Sequence, residues 1–188
     1  STQGPVLVLA GAGSGKTRVI AHRVAYLLAV EGVHPRNVLA VTFTNKAAEE
    51  MRHRVEDLVL PLGIRPPLIA TFHSVCVRIL REHAPRIGLP HAFVIYDEDD
   101  RLTLVREAMR EVDMDERELT PASAVHRISH AKNHMISVEE AERLARTPRE
   151  ERVASLYRMY EARLRAAQAV DFDDLLLLAV RLFETSPA

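Results

Sequence analysis

The chain is predicted to be an α/β protein: a parallel sheet with helices on both faces, followed by an all-helical half. Short apolar runs at residues 6–10, 38–42, 68–71 and 93–96 alternate with stretches of helical periodicity. A Gly-rich turn follows the first run directly, and from residue 97 onward apolar residues recur only at helical spacing.

The elements follow in order. Val6, Leu7, Val8 and Leu9 open a run, 6–10, that reads as a fully buried strand. Residues 15–30 read as a helix with Val19, Ile20, Val24, Leu27 and Leu28 at helical spacing, stopped by Gly32 with Pro35 beyond. A second strand spans 38–42, and a helix over 46–60 breaks at Pro61. A third strand spans 68–71, a helix over 74–83 breaks at Pro85, and a fourth strand covers 93–96. After a boundary near Tyr96 come helices at 97–112 and 121–134. Ser137 and Glu140 form a capping pattern that opens another helix. Thr147-Pro148-Arg149-Glu150 opens a long helix to about 167. The last helix runs from 171 to about 183, with Leu175, Leu176, Leu178, Ala179 and Leu182 on its apolar side.

Bulk properties narrow the classes. The 188 residues are 47% hydrophobic, a globular composition with room for one full domain or one and a half small ones. No run reaches membrane-spanning length and no signal peptide opens the chain, so the expectation is a cytoplasmic protein with no membrane partner. The single cysteine, Cys76, excludes an internal disulfide and sits between valines as a structural thiol. A net charge of −1 gives no basic excess, so nucleic-acid binding has to come from a local groove. Little chain precedes the first strand, which leaves little room for an adenine-recognition segment there.

The turn from Ala10 to Thr17 reads Ala-Gly-Ala-Gly-Ser-Gly-Lys-Thr. Gly11, Gly13 and Gly15 let backbone N–H groups crowd around phosphate oxygens without Cβ clashes. Lys16 suits the β- and γ-phosphates, the Thr17 hydroxyl suits Mg²⁺, and the helix that starts here points its positive end at the same place. The strict signature has Gly where this chain has Ala10.

Two further turns sit where strands end. Thr42, Phe43, Thr44 and Asn45 follow the second strand, and Thr71, Phe72, His73 and Ser74 follow the third. Ligands of parallel sheets bind at carboxyl ends of strands. Hydroxyls, an amide and an aromatic ring in one turn suit a single nucleic-acid strand, which needs hydrogen bonds to phosphate and stacking for bases. The same residues also fit ordinary helix capping, with Thr44 or Asn45 as the cap and Phe43 in the core.

Other clusters invite chemistry. Asp97 and Glu98 after the fourth strand look like the acidic pair of a phosphate-loop ATPase, and equally like an acidic helix start. Asp171, Asp173 and Asp174 fit a cap and first turn. His126, His130 and His134 share one helical stripe and suggest either a zinc pair or a polar face.

Ala-Gly-Ala-Gly-Ser-Gly-Lys-Thr-Arg, Thr-Phe-Thr-Asn-Lys-Ala-Ala-Glu-Glu-Met and Thr-Phe-His-Ser together resemble the start of the UvrD/Rep/PcrA-like superfamily 1 DNA helicases. Asp171-Phe172-Asp173-Asp174-Leu175-Leu176 extends the resemblance over essentially the whole chain. The resemblance implies a RecA-like ATP-binding domain 1A over residues 1–96, a helical domain 1B over 97–168, and a return helix of domain 1A over 169–188. It implies that Ala10, Gly11, Ala12, Gly13, Ser14, Gly15, Lys16 and Thr17 bind ATP and Mg²⁺, with Thr17 on the metal and Arg18 along the adenine. Lys16 and Thr17 are its catalytic candidates in this chain. Thr42, Phe43 and Asn45 match motif Ia, and Thr71, Phe72 and His73 match motif Ib, the segments that touch single-stranded DNA. Lys132 and Asn133 match a family-like segment in which Lys132 meets a phosphate; a solvated helix lysine fits equally.

The implied partners are single-stranded DNA, junctions of single- and double-stranded DNA, and the remaining helicase domains. The family's Asp-Glu box and arginine fingers come after this segment, so the expectation is the amino-terminal part of a 3′-to-5′ helicase, inactive alone, with an apolar face open to self-association. Two rivals stand beside it: a stand-alone nucleotide-gated DNA-binding module, and a small phosphotransferase using Asp97 and Glu98.

Overall fold

The computed structural model describes residues 4–9, 11, 13 and 15–185. It is a mixed α/β structure of short parallel sheets and many helices. The chain divides into two compact units, residues 1–75 and 76–188.

In the first unit, α1 (Lys16–Ala29), β1 (Leu39–Thr42), α2 (Asn45–Val59) and β2 (Leu68–Thr71) follow in order, and α3 (Phe72–His83) begins directly after β2. β1 and β2 pair in parallel, with Leu39 opposite Leu68 and Thr42 opposite Thr71. Residues at even spacing share a face, so Ala40 and Ile69 meet the buried stripes of both helices. Ala21, Val24 and Leu28 come from α1, and Met51, Val55 and Val59 from α2. On the other face Leu39 and Leu68 are exposed.

Two expectations change here. The stripe of α1 that packs is Ala21, Val24 and Leu28, while Val19 and Ile20 are exposed. The small Ala21 lets α1 approach α2, and spacing weighted by hydrophobicity alone overlooks it. The run at 6–10 was expected as a buried strand. Its described part, 6–9, pairs with no strand, and Val6, Leu7, Val8 and Leu9 are exposed; Ala10 lies outside the described residues. A parallel strand is stable only with neighbours in its ladder and cover on both faces, and among the described residues no strand lies beside this run.

In the second unit, β3 (Val94–Ile95) leads into α4 (Glu98–Glu111), α5 (Pro121–Asn133), α6 (Val138–Leu144) and α7 (Pro148–Ala166). The chain returns through β4 (Ala169–Val170) into α8 (Phe172–Thr185). β4 pairs in parallel with β3, so the strand that leaves for the helices lies beside the strand that comes back. Neither β4 nor its pairing was expected. Two residues are too few for a period, and the helix before them ends without a glycine: Gln168 itself takes the left-handed conformation, φ 51°. Asp113 and Met135 end α4 and α5 in the same way.

The capping box expected at Thr147 and Glu150 forms, and of the one expected at Ser137 and Glu140 only the Ser137 half does. Asp97 and Thr147 form reciprocal capping boxes with Asp100 and Glu150, and Thr120 and Ser137 cap α5 and α6. Two apolar clusters fill this unit. Val105, Ala108, Val125, Ile128, Leu156 and Tyr160 lie at the centre of one, and Leu80, Phe93, Val170 and Leu175 at the centre of the other. Cys76 packs at the edge of the second, where burial pushes its thiol pKa up.

Candidate nucleotide and nucleic-acid site

The first unit contains the beginning of α1 and the carboxyl ends of β1 and β2. Gly13 and Gly15 take the left-handed conformation, φ 75° and 82°. A Cβ on Gly13 would meet no atom within 4 Å, so the backbone angle rather than space demands glycine there. No side chain caps α1 at Gly15, and no acidic residue lies in its first turn. The positive dipole end of α1 therefore meets no acidic side chain of its own first turn. The Lys16 ammonium donates to the Gly11 carbonyl at 2.6 Å, folding the side chain back over the loop. Thr17 is half-buried and Arg18 is exposed. Ala10, Ala12 and Ser14 lie outside the described residues.

At the sheet edge, Thr42 and Thr71 are register partners and both are buried. The Thr42 hydroxyl donates to the Thr44 carbonyl at 3.0 Å. The Thr71 oxygen accepts the Ser74 N–H at 3.2 Å and lies 2.8 Å from the Ser74 hydroxyl, capping α3. Thr44 accepts the Ala47 N–H and caps α2. The threonines thus tie down the turns, and the residue after each is thrown outward. Phe43 is 89% exposed and Phe72 is 41% exposed, with ring centroids 5.4 Å apart and planes tilted by 43°. Thr44 is the cap, yet Phe43 is not in the core. Asn45 is exposed beside it and His73 is half-buried. The two rings form a small exposed apolar patch where β1 and β2 end.

Lys132 was expected at a phosphate, and the structure places it elsewhere. It is 2% exposed, and its ammonium lies 2.9 Å from Asp171, 2.7 Å from Asp174 and 2.7 Å from Glu161. Burial works against its charge, but the three carboxylates outweigh it and hold the ammonium pKa well above that of an ordinary lysine. The helical face carrying Lys132 points inward because α8 offers a carboxylate pair there, which spacing along α5 alone cannot reveal.

Burial also opposes ionisation of Asp171, but Lys132, the Asp174 N–H and Arg101 keep its pKa low. Burial, reinforced by Asp171 and Glu161, pushes Asp174 up to about 7. Asp171 and Asp174 also cap α8 reciprocally, each accepting the other's backbone N–H.

The remaining candidates resolve locally. Asp97 is spent on its capping box, and Glu98 is exposed near Arg101 at 3.5 Å. His130 and His134 stack with centroids 4.1 Å apart. Among the described residues no three or more His, Cys, Asp or Glu side chains are arranged to hold a metal ion. Among the described residues no helix is long and apolar enough to cross a membrane.

Comparison with known proteins decides the family, since residues 1–188 match the family described as UvrD/REP helicase N-terminal domain. The chain belongs to this family. It is 44% identical over 189 residues to the ATP-dependent DNA helicase PcrA of Staphylococcus epidermidis, covering 100% of this chain and 26% of that protein. It is 44% identical over 187 residues to PcrA of Bacillus subtilis, covering 100% of this chain and 25% of that protein. Identity to PcrA of Staphylococcus aureus is 43% over 189 residues. This UvrD/REP domain therefore spans about a quarter of the length of these relatives.

Proposed function

We propose that this UvrD/REP domain is the part of an ATP-dependent DNA helicase that grips nucleotide and single-stranded DNA. The exposed Phe43–Phe72 pair carries this reading, because it sits at the carboxyl ends of adjacent parallel strands in a member of a helicase family. The arrangement proposed is a RecA-like domain 1A over residues 1–96, a helical domain 1B over 97–168 and a return helix over 169–188.

The loop residues fit a triphosphate with Mg²⁺. The left-handed glycines leave open space around the backbone, and the uncapped start of α1 favours negative charge. ATP with Mg²⁺, when bound, supplies the phosphoanhydride whose cleavage drives a motor. Lys16 turns from the Gly11 carbonyl to the phosphates, Thr17 offers its hydroxyl to the metal, and Arg18 lies along the adenine. Ala10, Ala12 and Ser14 complete the loop sequence.

On the DNA side, Phe43 and Phe72 stack bases, which makes binding tolerant of sequence. Asn45 and His73 contribute polar contacts to the strand. Thr42 and Thr71 act through the turns they tie down. Junction DNA and the other helicase domains are the proposed partners, and the face bearing Leu39 and Leu68 is the surface open to self-association. The chain by itself turns over little ATP, because the acidic candidates Asp97, Asp171 and Asp174 are committed to caps and ion pairs.

The test is ATP turnover with and without single-stranded DNA, alongside direct DNA binding. DNA binding that is lost on Phe43→Ala, with turnover near background, fits the proposal. Robust turnover abolished by Asp97→Asn contradicts it and favours a phosphotransferase.

A further inference from the structure

We propose that the Asp171–Asp174 turn is a socket that fixes the orientation of helices α4, α5 and α7 on the β3–β4 stem, with Lys132 and Arg101 as its plugs. This inference is independent of the DNA reading, because it concerns only the second unit.

The stem alone cannot set that orientation. β3 and β4 are two residues each, joined by the pairs Val94–Ala169 and Ile95–Val170. The apolar contacts do not set it either, since they fall into two separate clusters. Ala169 belongs to the cluster among α4, α5 and α7, while its neighbour Val170 belongs to the cluster around Phe93 and Leu175. Two apolar surfaces that meet at one short strand can slide or rotate with little change in buried area, since apolar contact is not directional.

The polar seam between them is directional. The Asp171 carboxylate accepts from the Lys132 ammonium at 2.9 Å and from the Tyr160 hydroxyl at 2.8 Å. Asp174 accepts from Lys132 at 2.7 Å. Asp173 accepts from Arg101 at 2.9 Å and from the Ser129 hydroxyl at 2.6 Å, and Asn133 reaches it at 3.4 Å. Arg101 also donates to Ser129 at 2.6 Å and to Tyr160 at 3.3 Å.

Each of the three helices therefore places at least one donor on the 171–174 turn that opens α8: Arg101 from α4, Ser129 and Lys132 from α5, Tyr160 from α7. The carboxylate oxygens of the turn are taken up by protein donors, so the Asp-rich segment serves as a joint. A buried ion network adds little net stability over an apolar replacement, and its best-attested use is to specify one arrangement among several. Lys132 and Arg101 are thus positioning residues.

The test is a distance distribution between spin labels at positions 86 and 143, both exposed, on the chain with Cys76→Ala. The unsubstituted joint gives one narrow distance. Lys132→Met is expected to at least double the width of the distribution while circular dichroism shows the helices intact. Should that variant fail to fold, Asp173→Asn, which breaks only the outer half of the socket, is expected to broaden the distribution. Val125→Ala, a cavity in the helical core, serves as the control: it lowers the melting temperature and leaves the distribution unchanged. An unchanged distribution in folded Lys132→Met or Asp173→Asn overturns the proposal. Equal broadening by Val125→Ala also overturns it, since the effect would then be loss of stability alone.

Discussion

Thr42 and Thr71 face each other across β1 and β2, and each is followed by a phenylalanine that it helps to expose. The hydroxyls are turned into the protein, one onto the Thr44 carbonyl and one onto the start of α3. The same two turns that begin helices therefore also build an aromatic platform.

Replacing Thr71 by Val keeps the shape and deletes the hydroxyl. It removes the cap of α3 and leaves the Ser74 N–H without its acceptor. Urea unfolding is expected to show a loss of about 1–2 kcal/mol, with Thr71→Ser restoring most of it. An unchanged midpoint would show that the hydroxyl does not hold the turn.

Gly15 stands at φ 82°, where an L side chain is strained. Gly15→Ala is expected to destabilise the start of α1 by about 1–2 kcal/mol and to weaken nucleotide binding at least tenfold. Titration with a fluorescent ATP analogue checks this. Affinity equal to that of the unsubstituted chain would mean that the loop does not bind phosphate in this conformation.

Lys132→Met strips the only ammonium from a site shared by three carboxylates. Removing one partner of a buried pair leaves uncompensated charge and costs about 3–5 kcal/mol. Thermal unfolding monitored by circular dichroism is expected to register a loss of that size. A loss under 1 kcal/mol would mean that the ammonium is solvated.

The same cluster sets a pH response. Asp174 is held at about 7 by burial and by Asp171 and Glu161, against about 3.9 in an unfolded chain. Between those values the folded form keeps a proton that the unfolded form has lost. The contribution of Asp174 is thus fully present below pH 4 and is lost as pH rises through 7. Asp171, held low chiefly by Lys132 against its burial, acts with the opposite sign and only at acid pH. The difference in unfolding free energy between the unsubstituted chain and Asp174→Asn is expected to shrink from pH 5 to about pH 7 and to level off by pH 8. A difference that is flat across that range would contradict the assignment.

Much of this was legible in the sequence for physical reasons. Caps depend on a few neighbouring residues, so Thr147-Pro148-Arg149-Glu150 announced α7 and Asp97 announced α4. The strand ends at Thr42 and Thr71 were marked by apolar runs meeting polar turns. What stayed hidden depends on distant partners. Lys132 looks like a surface residue along α5 until α8 brings Asp171 and Asp174 to it. β4 is too short to show a period, and Gln168 gave no glycine signal for the turn before it. The run at 6–9 has the composition of a strand, but pairing is a property of two segments, and no described strand pairs with it.

The Phe43–Phe72 pair is proposed to be a platform for single-stranded DNA. Fluorescence anisotropy with a labelled oligonucleotide tests it directly, comparing the unsubstituted chain with Phe43→Ala and with Phe43→Ala/Phe72→Ala. Base stacking on an aromatic ring contributes about 1–3 kcal/mol, so Phe43→Ala is expected to weaken binding about tenfold or more and the double variant further. Because Phe43 is exposed, its melting temperature should stay within error of the unsubstituted chain. Equal affinity for all three proteins, with the fold intact, would contradict the account.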